Sequence, residues 1–242
     1  MNKKPSISII IPCFNEEKSI PRLIERCHAI SINRKDVQFV FVNNGSTDNT
    51  LEVLYFETNK LISLNFKIVS INLNIGYGNG IKFGLNTADN DILAWTHADL
   101  QTDPIDVINA FDLYKNQLYN TNSIVKGSRK NRPFFDNLFT IGMSIFSSIY
   151  LKKNLWDINA QPKIFHKNFL CFLSDAPDDF SLDLYFLYVA ALRKYKIYNF
   201  PVFFNLRMFD HAKGGGTFNG KTKLIKRTLI YIFSLNNRIG LN

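Results

Sequence analysis

The sequence of 242 residues contains no hydrophobic run long enough to cross a membrane. Its longest uncharged stretch, residues 137–151, is shorter than the ~20 apolar residues that a spanning helix needs. The chain also starts without the long apolar region and small-residue cleavage site of a secretory signal. These features predict a cytoplasmic protein whose only membrane contact would be peripheral, on the inner face of the plasma membrane.

Cysteine is scarce as well, and the three present, Cys13, Cys27 and Cys171, do not have the spacing of a zinc site. Their low and odd number excludes a disulfide scaffold and fits a reducing compartment. The sequence has no phosphate-loop motif and no Ser/His/Asp or Cys/His nucleophile pattern. The glycine-rich residues 76–80 do not match the dinucleotide-binding fingerprint, whose third glycine would fall at Ile81.

The charge is unevenly distributed along the chain. Residues 1–120 carry 11 basic and 13 acidic side chains, net −2, whereas residues 121–242 carry 18 and 7, net +11. A strongly basic half attracts phosphate-rich partners such as nucleic acid, anionic lipid or a phosphorylated substrate. A well-solvated surface would explain the same charge, so charge alone does not select a partner.

Strands and helices alternate in the first half of the chain. Apolar runs predict four strands, at residues 6–11, 37–42, 67–71 and 91–96, with helical patterns between them. Such alternation predicts an α/β fold with a mostly parallel central sheet flanked by helices. In the second half we predict strands at residues 123–126 and 196–205 and helices at residues 137–151, 182–192 and 221–235. The lack of a long linker predicts one domain over residues 1–242, with halves 1–120 and 121–242.

A polar or glycine-rich cluster follows each of the first four strands, and ligands bind at this edge of an open α/β sheet. After the fourth strand, Asp99 and Gln101 could hold Mg²⁺ or Mn²⁺, which take few protein oxygens when substrate phosphates complete their coordination. His97 would either add a nitrogen ligand or hydrogen-bond the loop. The alternative is a capped turn without a metal.

Several short motifs occur in a fixed order along nearly the whole chain. They are residues 9–17 (IIIPCFNEE), 43–48 (NNGSTD), 74–78 (NIGYG), 98–104 (ADLQTDP) and 127–129 (GSR), followed by Asp183, Pro201 and Arg207. This ordered set resembles family 2 glycosyltransferases. The last motif and the three residues after it are similar to the branch that includes dolichyl-phosphate mannose synthase and bacterial polyprenyl-phosphate glycosyltransferases.

The resemblance implies a GT-A fold, which is a Rossmann-like architecture that binds nucleotide sugars, and inverting transfer of a sugar from a nucleotide diphosphate. It implies that Asp99 and Gln101, with His97, bind the metal on the donor diphosphate. It further implies that Pro12 and Glu16 contact the base and ribose, that Asn44 contacts the base, and that Asn15, Gly76 and Asp99 bind the nucleotide sugar. Arg129 would approach the diphosphate or acceptor phosphate, and Arg207 with Lys213 would contact the acceptor phosphate.

The sequence departs from the family pattern at three places. Asn43 and Asn44 stand where the family usually has Asp; Asn44 can accept from uracil N3–H, which favours a uridine donor, or donate to cytosine N3. His97 stands where the metal motif usually opens with Asp, and its nitrogen favours Mn²⁺ over Mg²⁺. The Arg207 segment lacks the usual Arg-x-x-Gly-x-Ser spacing.

The acceptor decides whether a catalytic base is needed. A sugar hydroxyl of a growing cell-surface glycan needs a nearby carboxylate, for which Asp179 and Asp183 are candidates. A polyprenyl phosphate is already an anion and needs only cations to position it, and the basic second half favours this acceptor. Asp183 could also be an ordinary acid at a helix N-terminus.

Three other functions stay open at this stage. A nucleic-acid-binding module would explain the charge but not the four polar clusters, so we expect no nucleic-acid partner. A nucleotidyltransferase of similar α/β build would release pyrophosphate. A degenerate glycosyltransferase-like scaffold would be compatible with Asn43, Asn44 and His97.

The last predicted helix is both basic and apolar. Over residues 221–235, four apolar side chains share one face, and Lys223 and Arg227 point roughly the other way. This pattern is typical of an interfacial helix that meets anionic lipid. Residues 137–151 would supply a second contact. Both segments could equally pack on the domain or form the face of a homodimer.

Overall fold

The computed structural model describes residues 6–61, 65–130, 134–204 and 218–239. In chain order its elements are β1 (Ile7–Cys13), α1 (Ile20–Ser31), β2 (Val37–Asn44), α2 (Thr50–Asn59), β3 (Phe66–Ile71), α3 (Tyr77–Asn86), β4 (Ile92–Trp95), α4 (Pro104–Tyr119), β5 (Ser123–Lys130), α5 (Phe134–Leu151), β6 (Lys163–His166), a 3-10 helix (Lys167–Phe172), α6 (Leu182–Leu192), β7 (Lys196–Phe203) and α7 (Phe218–Ile239). None of the described helices is long and apolar enough to cross a bilayer.

Strands from both halves of the chain form one sheet in the order β3-β2-β1-β4-β6-β5-β7. All neighbours pair in parallel except β6, which runs antiparallel to both β4 and β5. The predicted mostly parallel sheet is therefore confirmed. Because β6 is reversed, its first residues lie at the same edge as the carboxyl ends of the other six strands.

The two faces of the sheet carry two separate cores, because successive side chains of a strand point to opposite faces. On β1, Ile9 and Ile11 pack with residues of α1, α2 and α4, whereas Ile10 packs with residues of α3 and α6 on the other face. Inner residues of α5 and α7, including Ile232, extend the second core. Helices therefore cover both faces of the sheet.

Local sequence explains where several helices begin. Asp103 caps α4, since its Oδ1 accepts the Ile105 backbone N–H at 2.9 Å, and Pro104 has no N–H that would need a partner at this position. Pro21 stands in the first turn of α1, where it is tolerated for the same reason. The buried face of α1 carries the apolar spacing that predicts it.

The sequence pattern does not predict β6. This strand has only four residues, begins with Lys163 and ends with His166, so it lacks the apolar run that identifies the other strands. Lys163 is nevertheless completely buried. The helices α5 and α7 extend a few residues beyond the predicted stretches, and β7 ends two residues earlier than predicted. The three cysteines are free thiols.

Candidate active site

The carboxyl ends of β2, β1 and β4 lie side by side at one edge of the sheet. Pro12 is partly exposed at the end of β1, Asn44 ends β2, and His97 and Asp99 follow β4. The parallel topology thus brings the clusters after these three strands to a single edge, which we call the polar edge. In open α/β sheets ligands bind at such an edge.

The loops after β1 and β2 hold each other by hydrogen bonds. The backbone N–H of Asn15 donates to Ser46 Oγ at 3.0 Å, and Asn15 Oδ1 accepts the Thr47 backbone N–H at 2.7 Å. The backbone N–H of buried Glu16 donates to Thr50 Oγ1 at 2.8 Å. These contacts make a fixed rim beside Pro12. Contact of Asn15 and Glu16 with a ribose stays a prediction.

Asn44 is buried beneath the first turn of α3. Its Nδ2 donates to the carbonyl oxygen of Gly76 at 3.0 Å, and a Cβ on Gly80 would come within 2.8 Å of Asn44 Cγ. A carbonyl only accepts hydrogen bonds, so this contact fixes the orientation of the amide. Asn44 Oδ1 is then a buried acceptor without a hydrogen-bond partner among the described residues. Recognition of the base by Asn44 stays a prediction.

The glycines at the start of α3 allow close backbone packing. Gly76 has φ +147°, and a Cβ on Gly76 or Gly78 would overlap the carbonyl groups of Asp178 and Pro177. Lys82 of α3 reaches Asp178 Oδ1 at 2.8 Å and strengthens the same contact. The glycine-rich segment therefore brings the residues before α6 towards the polar edge. This backbone packing by itself requires glycine at positions 76 and 78.

The candidate metal ligands lie together after β4. Asp99 is buried, and its Oδ1 accepts the Gln101 backbone N–H at 3.0 Å. Burial lowers the pKa of His97, although the charges of Asp99 and Asp183 oppose this shift, so the imidazole is neutral at pH 7, which is the form that binds metals. Among the described residues no three His, Cys, Asp or Glu side chains form a metal site. The donor set therefore fits Mg²⁺ or Mn²⁺ only when substrate oxygens complete the coordination.

Asp183 belongs to a buried polar network at the same edge. It lies 3.2 Å from Nζ of Lys163 at the start of β6, and Gln161 Nε2 donates to its Oδ1 at 3.0 Å. Gln161 Nε2 also contacts the Tyr77 hydroxyl at 3.2 Å. The pKa of Tyr77 is raised by burial and then by the charges of Asp183 and Asp99. The network thus lies close to the candidate metal ligands.

Arg129 stands near the end of β5 and pairs with Asp157. Its Nε donates to Asp157 Oδ1 at 2.8 Å, its Nη2 contacts the same oxygen, and its backbone N–H donates to Oδ2 at 2.8 Å. Burial alone would raise the pKa of Asp157, but the charge and hydrogen bonds of Arg129 outweigh it and hold this pKa below its ordinary value. Lys163 stands opposite Trp95 of β4 in the sheet, and Trp95 precedes His97 by two residues, so this second cation lies near the metal motif.

A second lysine, Lys126 of β5, is buried opposite Lys163 of β6. Its Nζ donates to the Gly127 carbonyl oxygen at 3.1 Å. Burial, followed by the charge of Lys163, lowers the pKa of Lys126 to about 8. The carboxyl end of β5 and the start of β6 therefore concentrate buried positive charge at the polar edge.

The remaining predicted residues lie elsewhere or outside the described residues. Asp179 Oδ1 accepts the Ser181 backbone N–H at 2.8 Å, and its Oδ2 lies 3.1 Å from Arg227 Nη2 of α7. Asp179 therefore joins the start of α6 to α7. Arg207 and Lys213 lie outside the described residues, so their predicted contact with an acceptor phosphate stays a prediction.

Sequence reasoning missed five polar residues of this edge: Tyr77, Lys126, Asp157, Gln161 and Lys163. Lys126 carries a signal, because it is a charged residue within the predicted strand 123–126, where most side chains are buried. The other four carry no local signal, since they are brought to the site by the short reversed strand β6, the loop before it and the packing of α3.

The comparison with known proteins agrees with this geometry. A family model described as glycosyl transferase family 2 matches residues 8–170. An undecaprenyl-phosphate 4-deoxy-4-formamido-L-arabinose transferase from Proteus mirabilis is 32% identical over 109 residues, which are 42% of this chain and 31% of that protein. A dodecaprenyl-phosphate galacturonate synthase from Rhizobium johnstonii is 31% identical over 150 residues, 60% of this chain and 41% of that protein. The chain thus spans about a third to two fifths of these relatives.

Solved structures with the same architecture cover nearly the whole chain. Glucosyl-3-phosphoglycerate synthase from Mycobacterium tuberculosis, solved with uridine diphosphate, has a TM-score of 0.73 at 16% identity and covers 97% of this chain and 81% of its own. A mannosyltransferase from Pyrobaculum calidifontis, solved with GDP-Man and Mn²⁺, has a TM-score of 0.65 at 18% identity and covers 89% and 59%. These likenesses confirm the predicted GT-A fold.

Proposed function

The chain belongs to glycosyl transferase family 2, and from this we propose that it is an inverting glycosyltransferase that moves a sugar from a uridine diphosphate donor to a polyprenyl phosphate. The observation that carries the proposal is the meeting of two groups at one edge of the sheet. The metal motif with Asp99 lies there, and so do two buried cations, Arg129 near the end of β5 and Lys163 at the start of β6, opposite Trp95 of β4. Such a site suits a substrate that carries phosphate groups.

The donor would bind with its diphosphate at Asp99 and Arg129. A divalent cation, when bound by Asp99, Gln101 and His97, supplies positive charge to the leaving diphosphate. Arg129 adds a fixed positive charge that needs no reorganisation during the reaction, because its guanidinium is already paired and oriented. Transfer with inversion requires the acceptor oxygen to attack the anomeric carbon from the side opposite this diphosphate.

Hydrogen bonding of the candidate bases supports a phosphate acceptor. Asp183 is engaged by Lys163 and Gln161, and Asp179 by Ser181 and Arg227. Both carboxylates are thus already engaged by donors of the protein itself. A sugar hydroxyl would need one of these carboxylates as a base, whereas a lipid phosphate is an anion that attacks without one. The geometry therefore favours the acceptor class that the two curated relatives carry in their names.

A surface formed by α5 and α7 supports access to a lipid acceptor. Five of its exposed or half-exposed side chains are apolar, and we call them the α5/α7 patch: Ile145, Phe146, Ile149, Ile230 and Phe233. Tyr150 joins the two helices by an edge contact with Phe233, with ring centroids 4.9 Å apart. Lys152, directly after α5, and Lys226 of α7 are exposed. Apolar side chains combined with cations suit the boundary of an anionic bilayer.

The test is sugar transfer to undecaprenyl phosphate in detergent micelles. Radiolabelled UDP-, GDP- and CDP-sugars are supplied in turn with Mn²⁺, and label is counted in the organic phase. We expect transfer from a UDP-sugar, with an inverted anomeric configuration by NMR. Asp99→Asn should lower the rate at least about a hundredfold, whereas Asp89→Asn, a substitution of an exposed carboxylate, should not. Label that reaches only a water-soluble glycan, or a clear GDP-sugar preference, would overturn the proposal.

A further inference from the structure

Asp157 uses both carboxylate oxygens on a single residue, Arg129. One oxygen accepts the backbone N–H, and the other accepts from Nε and Nη2 of the guanidinium. Both side chains are 9% exposed. The guanidinium is planar and its donors have fixed directions, so a carboxylate that holds the Nε edge also fixes where the rest of the group points.

Asp157 is itself held from several sides. Its φ of +45° lies in the left-handed region, which costs energy for a residue other than glycine and needs support from the surroundings. Its backbone N–H donates to Ser144 Oγ of α5 at 3.2 Å, and its carbonyl oxygen accepts the Ala160 backbone N–H at 3.1 Å. Lys163 Nζ donates to the carbonyl oxygens of Ile158 and Ala160 at 2.8 and 2.7 Å. The loop before β6 is therefore a rigid support for the Asp157 carboxylate.

We propose that Asp157 is a positioning residue that holds the Arg129 guanidinium in the orientation in which it receives a phosphate group of the substrate. The inference rests on the proposed function, because it requires an anionic substrate at Arg129. Without Asp157 the long arginine side chain would occupy several rotamers, and substrate binding would have to select one of them. Holding a group in its reactive geometry beforehand lowers that cost.

The experiment is a double-mutant cycle on anion binding. UDP and inorganic phosphate are titrated separately by calorimetry into the wild-type chain, Asp157→Asn, Arg129→Ala and the double variant. Asp157→Asn keeps the size of the side chain and an acceptor for the Arg129 backbone N–H but removes the charge. We expect Asp157→Asn to weaken the affinity for UDP or inorganic phosphate, whichever contacts Arg129, by between about tenfold and a hundredfold. In the Arg129→Ala background it should cause no further loss.

A control and a second variant separate positioning from folding. Asp36 and Arg34 form a similar two-bond pair just before β2, at the other edge of the sheet, so Asp36→Asn should leave binding unchanged. If Asp157→Asn unfolds, Ser144→Ala serves as the second variant, because it removes only the hydrogen bond from the Asp157 backbone N–H to Ser144 Oγ. It should weaken the affinity for the same probe about threefold.

The outcomes distinguish this inference from the proposed function. Wild-type affinity in Asp157→Asn, or losses that simply add in the double variant, would overturn the positioning role. Binding of neither probe by the wild-type chain would also overturn it. Binding of UDP without sugar transfer to lipid would overturn the proposed function and leave the positioning role supported by the cycle.

Discussion

The two most buried ion pairs of the described residues, Arg129–Asp157 and Lys163–Asp183, lie in the second half of the chain, whereas the pairs within the first half are more exposed. In the first half, the Arg22–Glu25 side chains are 58% and 68% exposed and the Arg26–Asp103 side chains 42% and 35%. In the second half, the Lys163–Asp183 side chains are 0% and 3% exposed. Exposed pairs contribute little to stability, whereas a buried pair costs desolvation that its attraction only partly offsets. A buried pair is therefore weak evidence for stability and points instead to a need for fixed charges.

The place of the buried pairs agrees with that need. Arg129–Asp157 and Lys163–Asp183 both lie at the carboxyl end of β5 and the start of β6, beside the metal motif. Two basic side chains of the second half, Arg129 and Lys163, are thus inside the molecule, each paired with an acid, at the edge where we propose that phosphate groups bind. A solvated surface does not account for these cations.

The largest effect on stability is expected from breaking the most buried pair. Lys163→Met would leave the Asp183 carboxylate buried with its charge unpaired, which should lower the free energy of unfolding by about 3–5 kcal/mol. Urea unfolding measures this loss. The double variant Lys163→Met with Asp183→Leu removes both charges and should recover much of it. A single variant as stable as the wild type would mean that Lys163 does not compensate Asp183.

A smaller effect is expected on membrane contact. Ile149 is 74% exposed in the α5/α7 patch, and Ile149→Glu should weaken co-sedimentation with anionic liposomes about tenfold, since it replaces an apolar contact by a negative charge. The matched control is Ile32→Glu, because Ile32 is 59% exposed at the end of α1, outside the patch. Equal losses for the two variants, or binding that does not depend on lipid charge, would contradict a specific membrane face.

The smallest effect is expected for a surface pair of the first half. Arg22→Ala removes the contact of Arg22 Nη1 with Glu25 Oε2 at 3.0 Å, and the free energy of unfolding should change by less than about 0.5 kcal/mol. Urea unfolding at low and high salt checks this value. A loss above about 2 kcal/mol would show that the exposed pairs are also structurally important and would remove the contrast between the halves.

Most of the fold could be predicted from the sequence. Each of β1 to β4 is a short apolar run followed by a polar cluster and a helical pattern, and this repetition allows few topologies other than a parallel sheet. The start of α4 could be placed because Asp103 and Pro104 are a capping residue and a first-turn residue. The reversed strand β6 could not be predicted, because its four residues carry no apolar alternation and its burial depends on β4 and β5 on both sides.

The candidate site could be predicted only in part, for the same physical reason. Asp99 follows a recognisable strand, so its place at the polar edge follows from topology. The partners of Arg129 and Asp183 come from distant parts of the chain, and Asp157 and Lys163 enter the site through β6 and the loop before it. Local patterns contain no information about such long-range pairs. Gly76 and Gly78 also make close contact with the backbone before α6, which no local pattern reveals, and the contact of Gly76 with a nucleotide sugar stays a prediction.

The proposed function depends most directly on a nucleotide diphosphate binding through a metal at Asp99. Calorimetric titration of UDP with and without Mn²⁺ tests this claim in the wild-type chain, in Asp99→Asn and in the control Asp89→Asn. We expect Mn²⁺ to strengthen UDP binding at least about tenfold in the wild type and in Asp89→Asn, and we expect Asp99→Asn to lose this gain. An undiminished gain in Asp99→Asn would contradict the account.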